Sequence, residues 1–202
     1  MLVSTQTEER ICKSDLSKVF CDLRFRQAMN LALNRDRIIE NVFNSLASLP
    51  GHGVVPTSDW YFNTKQYFPM WNLKAADETL DAIGLKDTDN DGFRNLTPAK
   101  QFEFILTHAA DSSVAPTMAA IIQNDLKQIS IRVTLRGVAG NTVLGTRQAS
   151  NFDSILLTFG DQPDPQLRKD IWQPERSLNY WRKSLQSTKN DDPINTKIMV
   201  SL

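Results

Sequence analysis

Apolar residues spaced three or four positions apart predict the helices of this chain. Asp22 and Asn34 each stand directly before such a stretch, and their side chains are suited to accept the free N–H groups of a helix start. Gly84 follows another stretch and is a natural helix stop. The predicted helices are Leu23–Leu33, Asn34 to about Phe43, Leu73–Ile83, Met118–Ile129 and a short one that opens at Asn141.

Other stretches carry strand patterns instead. Ile131, Val133 and Leu135 alternate with polar residues, which is typical of a strand with one buried face. This part of the chain predicts an α/β arrangement with at least one crossover connection, because its elements follow in the order strand, helix, strand, short helix and strand. The predicted strands are Gln101–Thr107, Ile131–Leu135 and Phe152–Phe159. Residues 1–20 are expected to be a tail or edge segment. Residues 48–63 are expected to form an irregular connection and residues 86–100 a polar one.

The composition is that of an ordinary soluble globular protein. The 202 residues include 41% hydrophobic and 23% charged residues, and 23 basic residues balance 23 acidic ones. This balance leaves no electrostatic footprint for nucleic acid or for an anionic membrane. No apolar run reaches the roughly 18 to 20 residues of a membrane helix. The polar stretch from Met1 to Arg10 is not a signal peptide.

The two cysteines, Cys12 and Cys21, leave two alternatives open. A helix between them would separate their Cα atoms by about 13 Å, whereas a disulfide needs roughly 4.4 to 6.8 Å. Two unpaired thiols are therefore favoured, and a disulfide requires a loop between them. With His52 and His108 as the only histidines, a Cys/His zinc site is not expected.

No motif of an enzyme is present. The chain has no GxSxG, no GxGxxG and no GxxxxGK[ST], and neither histidine has a visible triad partner. Asp87 to Gly92 matches the first half of an EF-hand calcium loop, but Pro98 stands at the twelfth position, where the bidentate Glu belongs. We therefore expect a non-catalytic protein without cofactor or metal, and a solvated turn at Asp87–Gly92.

Several short blocks follow one another along most of the chain, from roughly residue 20 to residue 175. The first block, from Asp22 to Asp36, reads D-L-R-F-R-Q-A-M-N-L-A-L-N-R-D. The later blocks are Val55-Pro56 with Trp60-Tyr61, Asn72–Gly84, Asp87–Arg94, Ile122–Val133, and Phe152-Asp153 with Gly160 and Asp164-Pro165.

In this order and spacing, the blocks resemble the extracellular solute-binding protein family 5, which includes the oligopeptide and dipeptide receptors of bacterial ABC importers. The resemblance implies an α/β fold that is one lobe of a type II periplasmic-binding-protein-like structure, with a mixed sheet flanked by helices. Family members are much longer and have two lobes. The matched blocks belong to the lobe inserted in the middle of the chain, which implies an excised lobe at 21–185, with 1–20 as a tail or edge segment and 186–202 leading toward the missing lobe.

The resemblance also implies a function. The protein would be the substrate-binding component of an ABC transporter, which encloses di- or oligopeptides between two lobes and delivers them to a membrane permease. Its partners would be the peptide or another small solute, the permease and the remaining lobe, with no nucleic acid. The location would be periplasmic or at the cell surface. The alternatives are another cargo (nickel chelate, haem, oligosaccharide or opine) and a non-catalytic protein-interaction domain.

The candidate ligand residues lie at and after the last predicted strand. By alignment of Asp164-Pro165, Asp161 falls where the peptide receptors hold the carboxylate that pairs with the ligand's α-ammonium. An exposed turn aspartate is the alternative. Thr158 stands where those receptors often carry a pocket-lining Trp, which leaves another cargo open. The further candidates, each weighed against an ordinary surface or packing role, are Gln162, Arg168 and Trp172.

Five other positions of the blocks are expected to have structural, surface or lobe-contact roles. Asn34, Leu73 and Ser130 stand where the family prefers Asp, Pro and Gly. Arg24 and Arg26, on the first block, are expected to be surface or lobe-contact charges.

Overall fold

The structure, a computed structural model, describes residues 2–3, 14–47, 70–149, 151–158 and 170. Within these residues it has six helices and six strands. The helices are α1 (Asp15–Cys21), α2 (Leu23–Ala32), α3 (Arg35–Phe43), α4 (Leu73–Ala82), α5 (Ala115–Lys127) and α6 (Gly140–Gln148). The strands are β1 (Leu2–Val3), β2 (Asn95–Thr97), β3 (Lys100–Gln101), β4 (Glu103–Ala109), β5 (Arg132–Val138) and β6 (Ser154–Ile155).

A mixed four-stranded sheet organises these elements, with the strand order β1-β6-β4-β5. The central strand β4 runs parallel to both β5 and β6, and β1 pairs antiparallel with β6. The short strands β2 and β3 form a separate hairpin just before β4. Helix α5 crosses over between β4 and β5, as the predicted strand–helix–strand order requires.

The hydrophobic core lies between the sheet and helices α1, α2, α4 and α5. Alternate residues of the strands, such as Phe104, Leu106 and Val133, are buried because successive side chains of a strand point to opposite faces. An aromatic cluster joins α1 and α2 to the sheet, since the rings of Phe20 and Phe25 and those of Phe20 and Phe104 lie 5.5 Å apart between centroids. This packing holds the helices against the sheet.

The helix ends follow the sequence signals. The side chain of Asp22 accepts a hydrogen bond from the Arg24 N–H at 2.8 Å, and that of Asn34 accepts one from the Arg37 N–H at 2.9 Å. Gly84 has a φ of 85°, a left-handed conformation that glycine adopts without steric cost. The predicted caps and stop are therefore confirmed.

The three departures from the family pattern have a simple physical basis. Asn34 is an N-cap, for which Asn and Asp are equally suitable. Leu73 is the first residue of α4, a position that favours Pro because its N–H has no partner within the helix. Ser130 has a φ of 60°, which explains a preference for Gly at this position. All three therefore affect local backbone stability rather than the topology.

The side chain of Arg94 joins the ends of two helices to the β2–β3 hairpin. It is 4% exposed, and its guanidinium donates to the backbone carbonyls of Leu85 and, at 2.9 Å, of Ile129. It also forms ion pairs with Asp77 and Asp81 of α4. Carbonyls at helix C-termini lack partners within their own helix, so a buried guanidinium is well suited to satisfy them.

A second buried charge connects α5 to the start of α3. Asp125 is fully buried; its carboxylate accepts the Asn34 N–H at 3.0 Å and lies 3.3 Å from Nη1 of Arg37. Burial raises the pKa of Asp125, and the hydrogen bond from Asn34 and the charge of Arg37 oppose that rise. The carboxylate thus acts as a cap supplied by a neighbouring helix.

Several expectations differ from the structure. Helix α1 was not predicted within 1–20, although β1 is indeed an edge strand. The strand expected at Gln101–Thr107 is interrupted at Phe102, so that β4 is Glu103–Ala109. The strand expected at Phe152–Phe159 is only Ser154–Ile155 within the described residues. The Asp153 side chain bonds to β4 directly before it, and a single backbone bond from Leu156 to Thr107 follows it.

The expected surface role of Arg26 is wrong. Arg26 is 6% exposed and donates to the carbonyls of Phe20 and Cys21 at 3.0 and 2.8 Å, so it satisfies the C-terminus of α1. Arg24 is exposed and pairs with Asp22, as expected of a surface charge. The preference for an unpaired thiol is also wrong at Cys21, which is disulfide-bonded. Cys12 lies outside the described residues.

None of the helices in the described part of the chain combines the length and the apolar character needed to cross a membrane.

Replacing Arg94 with Ala should lower the free energy of unfolding by roughly 2–4 kcal/mol, because it leaves buried helix-end carbonyls without donors. Urea denaturation measures this difference. Arg132→Ala is the matched control: Arg132 is exposed and stacks over Phe93 at 4.3 Å, so its loss should cost about 1 kcal/mol or less. Equal effects of the two substitutions would contradict the role given to Arg94.

Replacing Asp125 with Asn should flatten the dependence of stability on acidic pH. Because the pKa of Asp125 is raised in the folded state, its contribution is fully present below the unfolded value of 3.8 and is lost as pH rises through the folded value. The unsubstituted protein should therefore lose stability relative to Asp125→Asn across that window in urea denaturation. Arg37→Gln should extend the window to higher pH, because it removes a charge that lowers this pKa. Parallel profiles for all three proteins would rule out this assignment.

Candidate functional site

The carboxyl ends of three parallel strands meet at one edge of the sheet. Ala109 at the end of β4 pairs with Val138 at the end of β5, and Thr107 pairs with Ile155 of β6. A bond from the Ala110 N–H to the Val138 carbonyl, at 2.8 Å, extends the first pairing beyond the strands. Ligands of open α/β sheets bind outside the carboxyl ends of the strands, so this edge is the candidate site.

The loop after β4 is fixed to the loop after β5. Asp111 accepts the Gly140 N–H at 3.0 Å and so places its carboxylate at the N-terminus of α6, where negative charge is favourable. A side chain at position 140 would come within 3.3 Å of this carboxylate, so glycine allows the approach. The hydroxyl of Ser112 accepts the N–H groups of Val114 and Ala115 and caps α5. The edge is thus a set of backbone turns held by side chains.

The imidazole of His108 packs beneath this edge. It is 7% exposed, and a Cβ atom at Gly137 would lie 3.2 Å from its Cε1 atom. Its Nδ1 atom lies 3.4 Å from the carbonyl of Ala109. That neighbour is a backbone carbonyl rather than a nucleophilic side chain, so the described contacts give His108 a packing role.

Strand β6 is fixed to β4 by two side chains. The Asp153 carboxylate accepts the Ile105 N–H at 3.0 Å, and the Ser154 hydroxyl donates to the Ile105 carbonyl at 2.9 Å. A backbone bond from Leu156 to Thr107, at 2.8 Å, follows. These bonds fix the point at which the chain leaves the sheet.

Among the predicted ligand residues, the structure describes one. Thr158 is exposed and follows β6 by three residues, at the carboxyl edge. Asp161, Gln162, Arg168 and Trp172 lie outside the described residues. The sequence analysis gave no role to Asp111 or Ser154, and it named Asp153 only as part of the Phe152-Asp153 block; polar residues next to the ends of predicted strands are the signal that could have found them.

Of the tryptophans, Trp71 is described, and it is 47% exposed just before α4. Its position, before α4 rather than after β6, separates it in the chain from the candidate ligand residues. Trp60, Trp172 and Trp181 lie outside the described residues.

The acidic turn before β2 is a separate cluster. One carboxylate oxygen from each of Asp87, Asp89 and Asp91 can be chosen so that the three lie within 4.8 Å of one another, a spacing that a divalent cation can bridge. All three residues are exposed. The complete EF-hand loop remains excluded because Pro98 offers no side-chain oxygen at its twelfth position.

The carboxylates of this turn also have partners within the protein. Asp87 accepts the N–H groups of Asn90 and Gly92 at 2.8 and 2.9 Å. A hydrogen bond from the Asn95 side chain is the main cause that lowers the pKa of Asp89. These bonds are typical of the solvated turn that the sequence predicts.

Comparison with known proteins agrees with this architecture. Residues 5–173 match the family described as "Bacterial extracellular solute-binding proteins, family 5 Middle". The chain is 27% identical over 188 residues to the oligopeptide-binding protein AppA of Bacillus subtilis, which covers 87% of this chain and 33% of that protein. It is 29% identical over 141 residues to the periplasmic alpha-galactoside-binding protein of Rhizobium meliloti. That match covers 67% of this chain and 20% of the other protein.

A solved structure of the Bacillus subtilis AppA protein, in complex with a nonapeptide, superposes with a TM-score of 0.73 at 26% identity and covers 84% of this chain and 34% of that one. The predicted fold class, one lobe of a type II periplasmic-binding-protein-like structure with a mixed sheet, is confirmed. The chain spans a third or less of the length of the curated relatives described above, at 33% and 20%.

Proposed function

Because this chain belongs to family 5 of the bacterial extracellular solute-binding proteins, we propose that it is a ligand-contacting lobe of an ABC transporter's substrate-binding component. The cargo is a di- or oligopeptide, enclosed between this lobe and a second one and then delivered to a membrane permease. The observation that carries the proposal is the match to AppA, an oligopeptide-binding protein, over most of this chain.

The described lobe supplies a rigid edge for such a capture. Helix caps and the bonds of Asp111 fix the turns at the carboxyl ends of β4 and β5. A ligand that bridges two lobes shifts the equilibrium toward closure only if it binds the closed state more tightly. Turns that are already fixed favour tight binding, because little backbone entropy is lost when the ligand arrives.

Asp161 is the residue that we propose for the ligand's α-ammonium. It comes three positions after Thr158, which is exposed at the carboxyl edge. Removing one partner of a desolvated charge pair costs about 2 to 5 kcal/mol, which is roughly 30-fold to several thousand-fold in affinity. Gln162, Arg168 and Trp172 are proposed as further contacts, for main-chain groups, a carboxylate and apolar side chains of the ligand.

An oligosaccharide is the second candidate cargo. One relative is an alpha-galactoside-binding protein, and Thr158 presents an exposed hydroxyl where the peptide receptors often carry Trp. Hydroxyl groups suit hydrogen bonding to sugars as well as to peptide groups.

We also propose that the protein works outside the cytoplasm, in the periplasm or at the cell surface. The disulfide at Cys21 supports this location, since disulfides persist in oxidising compartments. A relative named as periplasmic supports it as well.

The cargo can be tested by thermal shift with a two-lobed protein that carries this chain. Free peptides should raise the melting temperature, whereas N-acetylated peptides should not, because acetylation removes the ammonium group. Asp161→Asn should abolish the shift by free peptides, and Asp111→Asn, at the other turns of the edge, should retain most of it. Stabilisation only by alpha-galactosides, or full retention by Asp161→Asn, would refute the peptide assignment or the choice of Asp161.

The disulfide can be tested by counting thiols. The unreduced, denatured chain should show no reactive thiol, and the reduced chain should show both of its two cysteines. Reduction should also lower the melting temperature, because a disulfide restricts the unfolded chain. A reactive thiol before reduction would contradict both the disulfide and its support for the extracytoplasmic location.

A further inference from the structure

Strand β6 has an unusual connection to the sheet. It pairs with β4 through only two residues, Ser154 with Leu106 and Ile155 with Thr107. So short a ladder specifies the register of a strand weakly. Yet the chain that leaves β6 leads directly to Thr158 and on to the proposed ligand residues.

Two side chains add bonds to this short ladder. Ile105 lies one residue before the first position at which β4 pairs with β6. Its N–H is accepted by the Asp153 carboxylate at 3.0 Å, and its carbonyl accepts the Ser154 hydroxyl at 2.9 Å. Both backbone groups of Ile105 are thereby satisfied, as buried or half-buried backbone groups require.

These bonds are possible in one register only. A slip of β6 by one residue would move Asp153 and Ser154 away from Ile105 and would reverse the faces of all residues that follow. Ser154 is fully buried, so a slip would also strand its hydroxyl. The two side chains therefore select the arrangement in which Leu156 donates to Thr107 at 2.8 Å.

We infer that Asp153 and Ser154 are positioning residues for ligand binding: they lock the register of β6 and so fix where Thr158 stands at the carboxyl edge of the sheet. They act through the backbone of Ile105 rather than by touching the ligand. The consequence for binding rests on the proposed function, whereas the register lock itself does not.

The register lock is tested by residue-resolved amide hydrogen exchange without ligand. Asp153→Ala should accelerate exchange of the Leu156 N–H by roughly tenfold, the factor expected when one hydrogen bond to the backbone is lost. Leu156 is informative because its own partner, Thr107, is untouched by the substitution. Ser154→Ala should have the same effect through the other bond, and Asp153→Asn should restore slow exchange because its amide oxygen still accepts the Ile105 N–H.

Asp87→Ala is the matched control. It also removes carboxylate bonds to backbone N–H groups, at Asn90 and Gly92, but in the turn before β2 rather than beside β6. It should leave the exchange of Leu156 unchanged. Unchanged exchange in both Asp153→Ala and Ser154→Ala, or equal acceleration in Asp87→Ala, would overturn the register lock.

The effect on binding is measured by calorimetric titration of a two-lobed protein with trialanine and with a soluble free nonapeptide. Asp153→Ala should weaken binding of whichever probe binds by roughly tenfold or more, and Asp153→Asn should restore it; Asp87→Ala should have no effect. Faster exchange with unchanged affinity would overturn the positioning role. If the unsubstituted protein binds neither probe, the peptide function fails, while the exchange comparison still decides the register lock.

Discussion

The buried guanidinium of Arg94 is the interaction on which the architecture depends. It satisfies carbonyls that follow α4 and α5, and its own backbone N–H donates to the Ser130 carbonyl at 2.8 Å. Each of these groups ends an element, and ends are where backbone groups lack partners. One side chain thus sets how two helices meet the hairpin that introduces β4. The N–H of Phe102, directly before the central strand, donates to the Arg94 carbonyl at 2.7 Å and so connects β4 to the same junction.

Hydrogen bonds from a side chain to the backbone of another element recur in the described lobe. Asp125 accepts the backbone N–H of Asn34, Arg26 donates to carbonyls of α1, and Asp111 and Asp153 accept backbone N–H groups next to the sheet. Arg26 and Asp125 are buried, and buried polar groups are costly unless paired, so their bonds favour one relative placement of the elements that they join. The apolar core supplies most of the attraction, and the polar bonds select the geometry. At the carboxyl edge, that geometry is what a ligand would encounter.

The sequence predicts the periodic part of the fold well. Helices α2 to α5 and strand β5 were expected because their apolar spacing is clear within about ten residues, and Asp22 and Asn34 mark the starts of α2 and α3. Helix α1 has only 7 residues, too few for a distinct period. The burial of Arg26 and Arg94 was not predictable, because a long cationic side chain is ordinarily solvated and its partners are distant in the chain. For the site, the sequence identified the strand end, but the side-chain bonds of Asp111, Asp153 and Ser154 depend on the register of neighbouring strands.

Among the described strands, β5 lies at the edge of the sheet, and this position affects how copies of the protein can meet. An edge strand offers backbone groups to which a second sheet can add, a common route to aggregation. The exposed residues of β5 include Arg132, Thr134 and Arg136. Edge-to-edge stacking would bring the arginines of two copies together, and their desolvation and repulsion oppose it. The charges on β5 therefore disfavour association of two copies through this strand.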